Sequence, residues 1–249
     1  DSMQAVAMIV YNTTEAQLEL TKAAVASVFA QDVPVHLWVI DNGSTDGTFE
    51  WLRSLSAPDG CKLEIGRFPT NQSPLRIANH MMSVFYGAGY DQILGVPNDV
   101  ELPTNLYSQM LKWPRGIVTA SMTEHRDGVT PRVAYAVSTN TPMAVAMIRK
   151  WVYDALMVKD GYFWDERFFH YASDLDMALR IAACGIAGIQ LDIQYFHSGS
   201  ASWRLATPQA SREITSEADV DRAKFIDKWG FSVTDDQYGR RCGDINFKG

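Results

Sequence analysis

The chain has 249 residues, 47% hydrophobic and 20% charged, with a net charge of −7, so it can bury a core unaided and shows no basic footprint for a partner held mainly by phosphate contacts. Its three cysteines are scattered, odd in number and without a C-x-x-C, which speaks against a disulfide framework. No apolar run approaches the roughly 20 residues of a membrane span and none reads as a secretory signal, so a reducing, cytoplasmic setting is expected.

Strand-like and helical patterns alternate through the first half. Gln4–Val10 reads as a strand and Glu15–Phe29 as a helix with Leu18, Ala24, Val25 and Val28 toward a core. The same order repeats in Val35–Ile40 and Thr48–Leu55, in Lys62–Arg67 and Leu75–Tyr86, and in Gln92–Val96 and Thr104–Leu111. This alternation predicts an α/β fold, a mainly parallel central sheet flanked by helices, with ligands beyond the carboxyl ends of the strands. The second half is less regular. Arg132–Ser138 is a candidate strand, and Met143–Leu156 a helix with Pro142 near its first turn. Asp174–Cys184 is a helix stopped at Gly185, Ile186–Phe196 is strand-like, and Ser211–Trp229 is a polar amphipathic helix. The tail from Thr234 is polar. With no repeat or linker, one domain over 1–249 is expected: a nucleotide-binding half at about 4–100, a smaller acceptor-side and catalytic half at about 101–205, and a C-terminal helix and tail.

The run Val35–Ile40 stops abruptly at Asp41, followed by Asn42, Gly43, Ser44, Thr45, Asp46 and Gly47. Turn chemistry explains most of this: the glycines permit unusual backbone angles, and Ser44, Thr45 or Asp46 caps the next helix. It does not explain Asp41, whose carboxylate stands at a strand's carboxyl edge, able to accept a hydrogen bond from a base N–H or a ribose hydroxyl. G-x-G-x-x-G is absent, so this is not a dinucleotide loop. Two further acidic groups stand out. Asn98-Asp99-Val100-Glu101 reads either as a strand ending in a turn or as hard oxygen ligands for a divalent cation. Ser173-Asp174-Leu175-Asp176 reads either as a capped helix start or as a catalytic acid pair; two residues apart, the acids do not share a helix face. Trp164, Phe168, Phe169 and Tyr171 are core aromatics by default, with Trp164 the one suited to stacking on a pyranose face.

Six segments, in order, resemble the family 2 glycosyltransferases of the GT-A fold: Tyr11-Asn12; "VIDNGSTDGT"; "NQSPLRIANHMM" from Asn71; "LGVPNDVELP" from Leu94; "DGYFWDERFFHYASDLDMALRI" from Asp160; and "YFHSGSAS" from Tyr195. The likeness runs from about residue 4 to 203 and is similar to small soluble bacterial or phage enzymes. It implies a nucleotide-diphosphate sugar donor, most commonly a UDP-sugar, whose base and ribose Tyr11 and Asp41 would hold. Asp99 would bind Mn2+ or Mg2+, with His197, Asn98 or Glu101 completing the shell. Asp174 would be the general base and Asp176 a supporting or structural acid. Asn42, Asn79, Arg76, Trp164 and Arg204 would complete the substrate contacts, the two arginines facing the diphosphate. The polar Ser121–Arg132 and Tyr195–Pro208 segments are the candidate acceptor-facing loops. The acceptor would be a glycan, a protein or a hydroxymethylated base of DNA.

The chain departs from the family pattern at Ser73, where glycine is usual, at Pro97 and Asn98, where acids are common, and at Ser173, where glutamate is usual. These departures keep a non-catalytic sugar-nucleotide or glycan-binding module as the alternative. A nucleotidyltransferase is a third reading, but the glycine-rich, lysine-bearing loop it would carry after the first strand is here "YNTTEAQ".

Overall fold

A computed structural model describes residues 3–123, 131–136, 144–198 and 204–232. In chain order its elements are β1 (Gln4–Val10), α1 (Glu15–Phe29), β2 (Val35–Asn42), α2 (Thr48–Ser54), β3 (Lys62–Phe68), α3 (Pro74–Gly87), β4 (Gln92–Gly95), β5 (Val100–Glu101) and α4 (Leu106–Leu111). Then come β6 (Ile117–Thr123), β7 (Pro131–Ala136), β8 (Ala146–Arg149), α5 (Lys150–Asp160), α6 (Ser173–Ala183), β9 (Gly188–His197) and α7 (Pro208–Trp229).

The strands form one sheet in the order β3-β2-β1-β4-β8-β6-β9-β5, with β7 paired to β9. Strands β1 to β4 are mutually parallel where they pair; β8 runs against β4 and β6, and β5 and β7 run against β9. The expected mainly parallel α/β sheet is therefore present. Strand order reverses between β1 and β4, and in open parallel sheets this switch point opens a ligand crevice at the carboxyl edge.

Both faces of β1 are covered. Val6, Met8 and Val10 enter one apolar cluster with Val25 and Val28 of α1, while Ala5 enters another with Met82 and Phe85 of α3. Burying one such valine or leucine contributes roughly 1.5–3 kcal/mol, so the helices are held by packing more than by helix propensity. On α1 the buried stripe is Gln17, Leu18, Thr21, Ala24, Val25 and Val28. Its polar interruption, Thr21, is fully buried and serves the site described below.

Two expectations are corrected. The helix expected over Met143–Leu156 divides: Ala146–Arg149 is strand β8, hydrogen-bonded between β4 and β6, and the helix begins only at Lys150. An apolar segment buried on both sides has no alternation to tell it from a helix. The loop expected from Ser121 instead starts as the end of β6, and Pro131–Ala136 is β7. Residues 124–130 of that loop, Val137 and Ser138 of the expected strand, Pro142 and Met143 at the expected helix start, residues 199–203 of the second expected loop and the tail from Thr234 lie outside the described residues. Among the described residues no helix is long and apolar enough to cross a membrane.

Candidate functional site at the carboxyl edge of the sheet

Asp41 ends the β1–β2 register opposite Val10 and faces Arg67 on β3. Its carboxylate is completely buried. Oδ1 accepts the Ser44 N–H at 3.1 Å, closing the turn. Oδ2 takes no hydrogen bond among the described residues, although Arg67 Nε lies 3.2 Å away. The ion pair with Arg67 offsets the cost of burying this charge, and Oδ2 keeps hydrogen-bond capacity beyond it. Arg67, whose guanidinium also stacks 4.3 Å over Phe49, does not stand out in the sequence. The cap position of α2 is Gly47 and not one of the three expected residues; Asp46, one position earlier, accepts the Thr48 N–H on its Oδ1 at 3.1 Å.

Asn12 joins the loops after β1, β2 and β4. It is fully buried. Its backbone N–H donates to Ser44 Oγ at 2.9 Å, and its Nδ2 donates to Thr21 Oγ1 at 2.9 Å and Thr48 Oγ1 at 3.0 Å. Its Oδ1 accepts from Asn98 Nδ2 at 3.0 Å. Asn12 belongs to the first family-like segment but is not among the expected site residues; a polar Thr21 within the apolar stripe of α1 is the signal that a buried polar group stands opposite. Tyr11 beside it is half-buried, and burial, with the charges of Glu213 and Glu217 on α7 adding, pushes its hydroxyl pKa up.

Asn42 is spent on scaffolding. Its amide donates to Asn71 Oδ1 at 2.9 Å and the Gln72 carbonyl at 2.8 Å, and accepts the Gln72 N–H at 2.8 Å. The next residue, Gly43, has φ +83°, and a Cβ there would lie 2.7 Å from the Thr70 carbonyl carbon, so only glycine lets these two loops close together.

Asp99 follows β4 and is buried. The β5–β9 register sets Val100 opposite His197, which brings His197 Nε2 within 3.5 Å of Asp99 Oδ1. Ser198 N–H donates to the Asp99 carbonyl at 3.2 Å, and the exposed Arg204 donates to the Ser198 carbonyl. Arg204 is thus held at the strand end that carries the Asp99–His197 pair, through Ser198. A carboxylate and an imidazole are suitable ligands for Mg2+ or Mn2+, which commonly keep several waters and take substrate phosphate oxygens as further ligands. Among the described residues no third His, Cys, Asp or Glu joins them, so such an ion would depend on its substrate for the rest of its shell. Asn98 donates to Asn12 and Thr21, which leaves its carbonyl oxygen as its ligand atom. Near Asp99, Tyr195 is fully buried with a hydroxyl that has no hydrogen bond among the described residues; burial first, then the Asp99 charge, push its pKa up to about 12.

The segment between α5 and α6 is fastened to the same edge. Asn79 accepts the Trp164 N–H at 2.8 Å and donates to the Trp164 carbonyl at 2.9 Å, and Ser73 Oγ donates to the Phe169 carbonyl at 2.9 Å. Asn79 therefore braces this segment, and Ser73, where glycine is usual, supplies a second tie. The Trp164 ring is half-buried, edge-on to Phe163 with centroids 5.6 Å apart. Arg76 lies exposed on α3 between the two ties. Asp174 is exposed in the first turn of α6, where the helix dipole favours a negative charge.

Asp176 occupies a different setting. It is completely buried and accepts from Arg180 Nε at 2.8 Å and Trp229 Nε1 at 2.9 Å, with Lys228 alongside. A substrate could reach it only by displacing these partners, a setting that suits the structural side of the expected supporting or structural role. Its ties to Lys228 and Trp229 also fix α7 over the α5–α6 segment, a role not visible in the sequence pattern.

The edge thus gathers a buried carboxylate with a spare oxygen, an Asp–His pair and, on a braced segment, an exposed carboxylate. Solved structures share the fold. S. aureus TarS residues 1–349 in complex with UDP is 14% identical with a TM-score of 0.60, covering 98% of this chain and 70% of that one. The same protein in complex with UDP-GlcNAc is 15% identical with a TM-score of 0.59, covering 98% and 71%. The mannosyltransferase PcManGT from Pyrobaculum calidifontis, in complex with GDP-Man and Mn2+, is 16% identical with a TM-score of 0.61, covering 97% and 73%. No curated protein matches the chain. The family model for glycosyl transferase family 2 matches residues 5–135, a span that contains Tyr11, Asp41 and Asp99, and the chain belongs to that family.

Proposed function

We propose that the chain transfers a sugar from a nucleoside-diphosphate sugar to an acceptor hydroxyl, inverting the anomeric centre. The observation that carries this is the Asp99–His197 pair at the same sheet edge as the buried carboxylate of Asp41, whose Oδ2 has an ion pair with Arg67 and no hydrogen bond among the described residues. Asp41 accepts a hydrogen bond from the base or ribose, and Tyr11 flanks it. Arg204 and Arg76 supply positive charge for the diphosphate. Asp99 and His197 are the residues that would hold Mn2+ or Mg2+, which when bound would offset charge on the departing diphosphate. Asp174, exposed and facing solvent, takes the proton of the acceptor hydroxyl as that oxygen bonds to the anomeric carbon and the bond to the diphosphate oxygen breaks. One in-line displacement of this kind inverts the centre.

The structural neighbours named with UDP, UDP-GlcNAc and GDP-Man support the donor class, with a UDP-sugar as the first donor to test. The acceptor belongs to the classes that carry a free hydroxyl: glycan, protein or hydroxymethylated DNA base. A thermal-shift series with nucleotide sugars, each with Mn2+, Mg2+ or chelator, tests donor and ion together, because a ligand that binds only the folded chain raises its apparent stability. Asp174→Asn is expected to keep donor binding and lose transfer by about 10²–10⁴-fold. Transfer at the wild-type rate in that variant removes Asp174 from the reaction.

A further inference from the structure

We propose that Asp221, on α7, is a positioning residue for the reaction: it sets the backbone of residues 169–171 and thereby aims Asp174 at the acceptor. This rests on the reading of Asp174 as the base. Asp221 is completely buried, 47 residues beyond Asp174 in the chain. Its two oxygens accept the Phe169 N–H at 2.9 and 3.0 Å, and Oδ2 also accepts the N–H groups of His170 at 2.8 Å and Tyr171 at 2.9 Å. Lys224 Nζ lies 3.1 Å from Oδ1. Three consecutive amides aimed at one carboxylate require the backbone to curl into a concave nest, a conformation the free chain does not hold by itself.

The nest leads directly into a strained residue and then into the helix that bears Asp174. Ala172 has φ 57°, the only non-glycine with positive φ among the described residues, and α6 starts at the next residue with Asp174 in its first turn. A left-handed alanine is unfavourable and persists only where its surroundings impose it. Asp221 acts on the residues immediately before it, and Ser73 holds the Phe169 carbonyl from the opposite side. Attachment of α7 does not explain the arrangement, because Phe225 already packs α7 against Leu75, Phe168 and Leu179. The carboxylate is directed at the one segment that leads into Asp174.

The test compares wild type, D221N, D221A and D174N. It follows amide hydrogen exchange over 165–175, binding of UDP and GDP by calorimetry, and release of nucleoside diphosphate from UDP-GlcNAc, UDP-glucose and GDP-mannose with water as acceptor. In D221N the amides of 169–171 are expected to exchange at least about tenfold faster, with β1 and β2 unchanged. Nucleotide affinity and donor KM stay within about twofold, while kcat falls about tenfold to a hundredfold, more in D221A than in D221N. Unchanged exchange in both variants overturns the proposal. So does faster exchange with wild-type kcat when D174N has lost turnover. Wild-type turnover in D174N overturns the base reading itself and this inference with it, an outcome distinct from the other two.

Discussion

Asn98 donates from its side-chain amide to Asn12 Oδ1 and to Thr21 Oγ1, each at 3.0 Å. Thr21 commits its own hydroxyl proton to the Gln17 carbonyl at 3.2 Å, so both partners of Asn98 present lone pairs. An aspartate at this position has no proton to give them. The amide at 98 is thus matched to the buried net around Asn12. We expect Asn98→Asp to cost about 1–3 kcal/mol, more than Asn98→Ala, because it adds repulsion to two lost hydrogen bonds. Urea unfolding of the two variants checks the order, and an aspartate variant as stable as wild type contradicts it.

The first half of the fold was legible because each strand ended in turn residues and each helix carried an apolar stripe; β1 and α1 have the boundaries expected. β6 was missed and β8 taken for helix, since an apolar strand buried in the middle of a sheet carries no period of two. Among candidate site residues, Asp41 showed in sequence as an acid closing an apolar run, whereas Asp99 and His197 stood out through the resemblance of their segments to the family's. Arg67 did not, because its partner Asp41 is a neighbour only through β2–β3 pairing. Asp221, Lys228 and Trp229 lie on a helix whose pattern is polar and amphipathic, and their partners are 51 to 63 residues earlier, so local periodicity holds no trace of them.

His197 and Asp99 are the paired ligand candidates, and their approach depends on the short β5–β9 pairing. His197→Ala leaves one carboxylate. We expect its Mn2+ dissociation constant, with UDP present, to rise at least about tenfold. Wild-type affinity should also fall on acidification, because an imidazole ligates only when neutral. Calorimetric titration of Mn2+ at two pH values measures both effects. Wild-type affinity in His197→Ala removes His197 from the shell while leaving Asp99 to be tested by Asp99→Asn.

Lys228 Nζ lies 2.7 Å from Asp165 Oδ2 and also contacts Asp176, joining α7 to the segment that carries Asp174. Burial alone would raise the Asp165 pKa, but hydrogen bonds from Arg167 and Lys228 outweigh it and hold the carboxyl well below the usual range. Burial alone would lower the Lys228 pKa, but Asp165 and Asp176 outweigh it and push the ammonium up. Each shift makes stability depend on pH in its own direction. The Asp165 contribution is complete above about pH 4 and is lost as pH falls toward its depressed folded value; the Lys228 contribution is complete below about pH 10 and is lost as pH rises through its raised one. Lys228→Met leaves each acid with one arginine, and we expect a loss on the order of 3 kcal/mol at neutral pH. The loss should shrink in acid, because protonated Asp165 no longer needs the ammonium. Melting temperatures of the two proteins should therefore draw together progressively as pH falls below about 4 and stand furthest apart near neutrality. Curves that stay parallel from neutral pH into acid would mean that the lysine acts through its packed methylenes and not through its charge.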